Sequence, residues 1–244
     1  MGMKGSMPAR EIHFKVTRHA FLTPTVFELI CTANEPLEFK AGQFISVIVP
    51  GAGPNGRDLR RAYSIASHPE QPNIELCVKL VEDGPGTNYL NKLKPGDQFR
   101  GFAPYGDFVF KPKEGRDACW ISTGTGIAPF RSMLDSELYK KNRPAKTICF
   151  FGVRTVDEML YADEFREKLG AANFLSFISQ AKPEDTLPKG LQRGRVTDGL
   201  RALGDSFAWL NTDFYLCGNG AMITEVTQIL QERGVQKDAL HKEK

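Results

Sequence analysis

The 244-residue chain is short of the features that most quickly assign a protein to a class. Its five cysteines, Cys31, Cys77, Cys119, Cys149 and Cys217, are widely separated and odd in number, with no Cys-x-x-Cys and no Cys/His pair. That spacing argues against a zinc site, a cysteine-held iron–sulfur cluster and a disulfide framework. No apolar run approaches the roughly 20 residues that span a bilayer, and no charged, apolar and small-residue leader precedes the first patterned segment. A reducing cytoplasm without membrane attachment is therefore expected. Neither sign of charge dominates: 32 Lys and Arg against 29 Asp and Glu leave +3, which gives no electrostatic footprint for nucleic acid. Internal repeats and low-complexity tracts are also missing.

What is present is an ordinary globular composition, 41% hydrophobic and 25% charged, in a chain longer than the about 100–200 residues of a typical domain. Two domains are expected, over residues 8–112 and 116–244. The opening Met1-Gly2-Met3-Lys4-Gly5-Ser6-Met7 reads as an appended leader and start. Between residues 11 and 110, short segments alternate with period two. In one of them Ile74, Leu76, Val78 and Leu80 share one face and Glu75, Cys77 and Lys79 the other. Residues 12–16, 26–30, 44–49, 62–67 and 98–102 read similarly, and only 88–93 reads as helix. Such strands predict a small antiparallel barrel, which removes exposed edges by closing on itself.

The rhythm changes at the polar stretch 111–116, the best linker candidate. Strands at 119–122, 147–153, 174–179 and 214–217 then alternate with helical patterns. One helix carries Ile127, Phe130, Leu134 and Leu138, a second covers 161–169, and a third carries Met222, Val226 and Leu230. This βαβα order predicts a parallel sheet covered by helices, with ligands outside the carboxyl ends of its strands.

Four segments carry chemistry. In Arg60-Arg61-Ala62-Tyr63-Ser64, alternation puts Arg61 and Tyr63 on one face and Ser64 on the other, unless a twist or bulge brings all three to one ligand. Arginine suits a phosphate, tyrosine an aromatic ring and serine a ring nitrogen; alone, the segment reads better as an ordinary amphipathic strand with an exposed arginine. Gly84-Pro85-Gly86-Thr87 runs into a helix, so exposed amides and the Thr87 hydroxyl make a phosphate cradle, or a plain turn with Thr87 as N-cap. Ser122-Thr123-Gly124-Thr125-Gly126-Ile127-Ala128-Pro129 lies between strand and helix, where Gly124 and Gly126 admit a pyrophosphate and Pro129 suits the first turn. Leu216-Cys217-Gly218-Asn219 ends a strand, placing Cys217 at a sheet edge where a nicotinamide ring fits; a buried filler cysteine is the plainer alternative.

The order and spacing of these elements over about residues 11–244 resembles the ferredoxin–NADP reductase superfamily, and the wording around Cys217 is most similar to its compact bacterial ferredoxin/flavodoxin reductases. The resemblance implies an FAD-binding barrel followed by a nicotinamide-binding α/β domain, with hydride passing from NAD(P)H to flavin N5. Arg61, Ala62, Tyr63 and Ser64 match the motif that holds flavin phosphate and ring. Gly84, Gly86, Thr87 and Leu90 match the second flavin motif, preceded by Val78, Lys79 and Leu80, and residues 101–108 resemble the closing barrel segment. Thr123, Gly124, Thr125, Gly126 and Pro129 match the pyrophosphate loop, and Cys217 and Gly218 the nicotinamide side.

Arg154 and Arg195 resemble the clamp on the extra ribose phosphate of NADP, while Gln180 stands where NADP-selective relatives often carry arginine; NADP(H) is expected to be favoured over NAD(H). Many relatives end in a Glu-x-aromatic tail. Here His241-Lys242-Glu243-Lys244 stops where the aromatic would come, implying either a truncated chain or an open flavin face. Ser64, Cys217 and Glu243 are the residues expected to position the reacting atoms. Because the chain has no Cys-x4-Cys-x2-Cys, its one-electron acceptor is expected to be a separate ferredoxin or flavodoxin, bound by a monomer. Arg57, Arg60, Lys92, Lys94, Lys111 and Lys113 are the cations expected to steer an acidic carrier. An oxygenase reductase component or free-flavin reductase is the close alternative, and a non-catalytic or electron-bifurcating subunit the distant one.

Overall fold

A computed structural model describes residues 8–243; residues 1–7, expected to be an appended leader, and Lys244 lie outside the described residues. Two compact units are distinguished: the described residues up to Phe110 with Arg131–Glu137, and Lys111–Phe130 with the described residues from Leu138 onward.

The first unit contains β1 (Arg10–Thr23), β2 (Val26–Ala33), β3 (Phe44–Val49), β4 (Leu59–Ser64), β5 (Ile74–Lys79), helix α1 (Pro85–Lys92) and β6 (Gln98–Tyr105). On β1, Ile12, Phe14 and Val16 are buried while Glu11, His13 and Lys15 face out, as a strand with one wet face requires. Among the described residues the strands pair antiparallel in the order β4-β3-β6-β1-β2-β5. A bridge between Ile65 and Leu76, reinforced by the Ala66 N–H on the Glu75 carbonyl at 2.8 Å, joins the two ends of that order and closes the barrel. At this seam Arg131 donates to the Glu75 carboxylate at 2.5 Å and to the Ala66 carbonyl at 3.3 Å. The core is built from Phe14, Phe27, Leu29, Ile45, Val47, Leu76 and Phe99.

Two expectations for this unit shift. The expected strand at 62–67 is β4 at 59–64, and its side chains show no alternation of buried and exposed positions, because it lies at the end of the pairing order. The helix begins three residues before the expected start, since Pro85 has no amide hydrogen to satisfy and its fixed φ suits the first helical position.

The second unit contains β7 (Asp117–Thr123), α2 (Ala128–Asp135), α3 (Glu137–Lys141), β8 (Thr147–Val153), α4 (Ala162–Leu169), β9 (Phe174–Ile178), β10 (Leu191–Arg193), α5 (Val196–Arg201), β11 (Thr212–Cys217), α6 (Gly220–Glu232) and β12 (Leu240–Lys242), although the later residues of α2 and Glu137 group with the barrel. All pairings are parallel, in the order β10-β9-β8-β7-β11-β12. Every residue of β8 is buried, the pattern of a strand covered on both faces. Where one helix was expected over 127–138, the chain makes a 3-10 turn at Gly124–Ile127, then α2, then α3. The break falls at Ser136, whose amide and hydroxyl both take the Met133 carbonyl, and Leu138 emerges exposed beyond it. The proposed linker is not loose: the Lys111 N–H donates to Tyr215 Oη at 3.1 Å, and Lys113 and Arg116 pair with buried Asp213. Among the described residues no helix is long and apolar enough to cross a membrane.

Candidate functional site

On the barrel, the site begins at the start of α1. Its N-cap is Gly84, no side chain caps it, and no acidic residue occupies its first turn. The Thr87 hydroxyl is not a cap: it accepts from the Val81 N–H at 3.3 Å and donates to the Gly84 carbonyl at 3.1 Å, holding the turn shut. Tyr63 and Arg61 of β4 lean on this turn so closely that a β-carbon on Gly86 would lie 2.5 Å from Tyr63 Oη and 2.9 Å from Arg61 Cγ. Burial pushes Tyr63 up to about 12, against the lowering effect of Arg61, so the phenol stays protonated. Arg61 donates only to its neighbour's carbonyl among the described residues.

The Arg61 stem thus stands beside the uncapped start of α1, whose first turn holds no acid, and this pairing of a cation with a positive helix end fits the phosphates of a dinucleotide. Ser64 ends β4 opposite Phe44, and Ala62 is exposed between its neighbours. Val78 is the exception among the expected contacts: its side chain is turned into the barrel core, so it offers a ligand backbone only. Lys79 and Leu80 follow it at the half-buried end of the strand.

In the second unit β7 is central, with β8 on one side and β11 on the other, so the chain order reverses between β7 and β11. Open parallel sheets bind ligands at the carboxyl ends of such strands. The loops there touch. A β-carbon on Gly126 would lie 2.4 Å from the Cys217 carbonyl oxygen, and one on Gly218 would lie 2.2 Å from Thr123 Oγ1. Gly218 also has φ of +149°, which disfavours any side chain. Gly124 and Thr125 form the 3-10 turn, and Pro129 is the second residue of α2.

Cys217 is almost fully buried, and its thiol donates to Glu243 Oε2 at 2.7 Å. Burial, then the adjacent Glu243 carboxylate, hold the thiol well above its ordinary value, so it is protonated and not a nucleophile. Glu243 is placed by β12, which runs parallel to β11, and by its own N–H on the Leu216 carbonyl at 3.0 Å. His241 of β12 stacks on Tyr215 at 4.5 Å, and burial followed by Lys111 lowers its pKa.

Further along the same edge, Arg154 follows β8, Gln180 follows β9 and Arg195 follows β10. The Gln180 N–H donates to the Arg154 carbonyl at 2.9 Å, and the Gly194 N–H to the Ile178 carbonyl at 3.2 Å, bringing the three loops together. Arg193 is committed to the carbonyls of Lys182 and Asp185. The exposed guanidinium groups of Arg154 and Arg195 have no acceptor among the described residues. Of the six cations expected to steer a carrier, Arg60 is held by Ser46 and Tyr105 and lies 4.4 Å above the Phe102 ring, and Lys113 is paired with Asp213. Arg57, Lys92, Lys94 and Lys111 remain exposed.

The sequence reading missed Asn219 and β12. Asn219 caps α6 by accepting the Met222 N–H at 2.8 Å, a role its residue type and place before a helix advertise.

Comparison with known proteins agrees with this division. Residues 11–110 match the oxidoreductase FAD-binding domain family and residues 120–228 the oxidoreductase NAD-binding domain family. A ferredoxin–NADP reductase of Pseudomonas aeruginosa is 34% identical over 227 residues, covering 87% of this chain and 86% of the relative. The reductase component of a phenol 2-monooxygenase from a Pseudomonas species is 30% identical over 238 residues, covering 95% of this chain and 65% of the relative. The fold superposes on a Neisseria gonorrhoeae ferredoxin NADP+ reductase with a TM-score of 0.80 at 24% identity, covering 96% of this chain and 98% of that one. With both halves of the fold matched in this order, the chain belongs to the ferredoxin–NADP reductase family of flavin-dependent NAD(P)H oxidoreductases.

Proposed function

We propose that the chain carries electrons from NADPH to a separate ferredoxin or flavodoxin, with FAD held by residues 8–112 and the nucleotide by residues 116–244. Bound FAD supplies the chemistry of taking two electrons as a hydride and releasing them one at a time. The protein supplies position and charge. On this reading Arg61 and the α1 amides neutralise the flavin phosphates, and Tyr63 covers the ring with a neutral phenol. Ser64, Cys217 and Glu243 set the polar surroundings of the reacting atoms, with the Cys217 thiol proton held on Glu243 Oε2. The protein is a cytoplasmic monomer that contacts neither membrane nor nucleic acid.

The observation that carries the preference for NADPH is the pair of unpartnered guanidinium groups, Arg154 and Arg195, at one end of the parallel sheet. Glu158 and Asp198 accept from the backbone N–H groups of Arg154 and Arg195 and leave both guanidinium groups without an acceptor among the described residues, which matches the extra phosphate that distinguishes NADPH from NADH. Arg154→Ala and Arg195→Ala are each expected to raise KM for NADPH about tenfold, the loss of one charge-assisted hydrogen bond. KM for NADH should hardly move, and a parallel rise for both nucleotides would contradict the assignment.

The acceptor is tested with purified carriers. Turnover with a ferredoxin or flavodoxin should exceed turnover with free FMN and should fall as salt screens the attraction. Faster reduction of FMN would favour the free-flavin reductase reading. The likeness to the phenol 2-monooxygenase component keeps an oxygenase reductase as the second reading, supported instead if only an oxygenase partner accepts electrons.

A further inference from the structure

We infer that Thr123 is a positioning residue of the nucleotide site, whose hydroxyl sets the spacing of the loops after β7 and β11 by holding both N–H groups of Asn219. The inference rests on the reading that the nucleotide lies at this edge of the sheet. Thr123 is the last residue of β7. Its Oγ1 lies 3.2 Å from the Asn219 amide nitrogen and 3.3 Å from Asn219 Nδ2. These contacts join positions 96 residues apart. Asn219 is fixed in turn as the N-cap of α6, through Oδ1 on the Met222 N–H.

Both arms of the threonine are used. The hydroxyl faces Asn219 and Gly218, while Cγ2 lies 3.3 Å from where a β-carbon on Gly152 of β8 would stand. A β-branched side chain on a strand has few χ1 choices, so contacts on both sides leave Thr123 one position. A hydroxyl oxygen accepts two hydrogen bonds and donates one. Asn219 fills both acceptor sites, and the remaining O–H hydrogen has no acceptor among the described residues. It is available to an oxygen of the nucleotide. Just beyond the last β7–β11 pair, Ser122 with Cys217, the Thr123 side chain thereby ties the pyrophosphate-side turn to the nicotinamide-side turn, and the bound nucleotide must match both turns at once.

The test uses the FAD-loaded full chain. Thr123→Val keeps the shape and removes the hydroxyl; Thr123→Ser keeps the hydroxyl. Thr123→Val should raise KM for NADPH about tenfold, with kcat within about twofold and the flavin spectrum unchanged, as loss of binding common to ground and transition states requires. Thr123→Ser should return KM to within about twofold of the native value, as expected if the hydroxyl carries the effect. Asn219→Ser, which preserves a cap and loses the Nδ2 donor, should raise KM several-fold and should blunt the further effect of Thr123→Val in the double variant. A fall in melting temperature with KM unmoved overturns the inference. If Thr123→Val does not fold, Asn219→Ser decides by the same criterion. Native protein whose flavin neither nucleotide reduces overturns the functional reading together with this inference, whereas native turnover with unchanged KM in the variants overturns this inference alone.

Discussion

Gly126→Ala is expected to lower kcat/KM for NADPH by about 100-fold or more while FAD content stays at the native level. The added methyl would stand 2.4 Å from the Cys217 carbonyl oxygen, 2.7 Å from its carbonyl carbon and 2.8 Å from Gly218 Cα. All three are backbone atoms, so no side chain can swing away. The loop after β7 must part from the loop after β11, and both turns expected to seat the nucleotide move. A misplacement of about 1 Å costs on the order of 100-fold in a reaction that depends on alignment. Arg61 and the start of α1, the features proposed to hold the flavin phosphates, do not involve this contact. Rapid-reaction measurement of flavin reduction, with flavin content read from the same samples, checks the prediction. A native reduction rate in Gly126→Ala would show that the two turns need not touch.

Asp213→Ala should cost stability and not affinity. Asp213 is only 3% exposed; its carboxylate accepts a hydrogen bond from Lys113 Nζ at 3.3 Å and forms an ion pair with Arg116 Nε at 3.1 Å. Arg116 also donates to the carbonyls of Leu210 and Thr212, so its charge cannot simply leave. Removing one partner of a buried ion pair strands the other charge, a loss of about 3 kcal/mol. In a unit of this size that corresponds to roughly 10 °C in melting temperature. Replacing Lys113 alone should cost much less, since that side chain is one-third exposed and such pairs contribute about 1 kcal/mol or less. Thermal unfolding of the two variants followed by circular dichroism separates these values, and equal small shifts would refute the assignment.

The sequence was most legible where a residue pattern and a local structure share one cause. Buried alternation on β1 and the uninterrupted burial of β8 follow from strands with one or two covered faces, whereas on β5 Cys77, expected on the outward face with Glu75 and Lys79, is buried. The glycines at 126 and 218 were visible as motif positions, but their reason was not, because each is fixed by a strand about a hundred residues away. The same holds for Thr123 and Asn219. β10 and β12 are three residues long and largely polar, too short to show a period, and only their pairing with β9 and β11 makes them strands. Val78 shows two signals on one residue: the motif marks it as a ligand contact, while its place in the alternation with Ile74 and Leu76 assigns its side chain to the core and leaves its backbone for a ligand.

The most direct measurement is anaerobic mixing of the FAD-loaded protein with NADPH, and separately with NADH, while the flavin absorbance is followed. The two-site account predicts rapid loss of the oxidised flavin band, faster at low concentrations of NADPH than of NADH. An absorbance that neither nucleotide changes would contradict it.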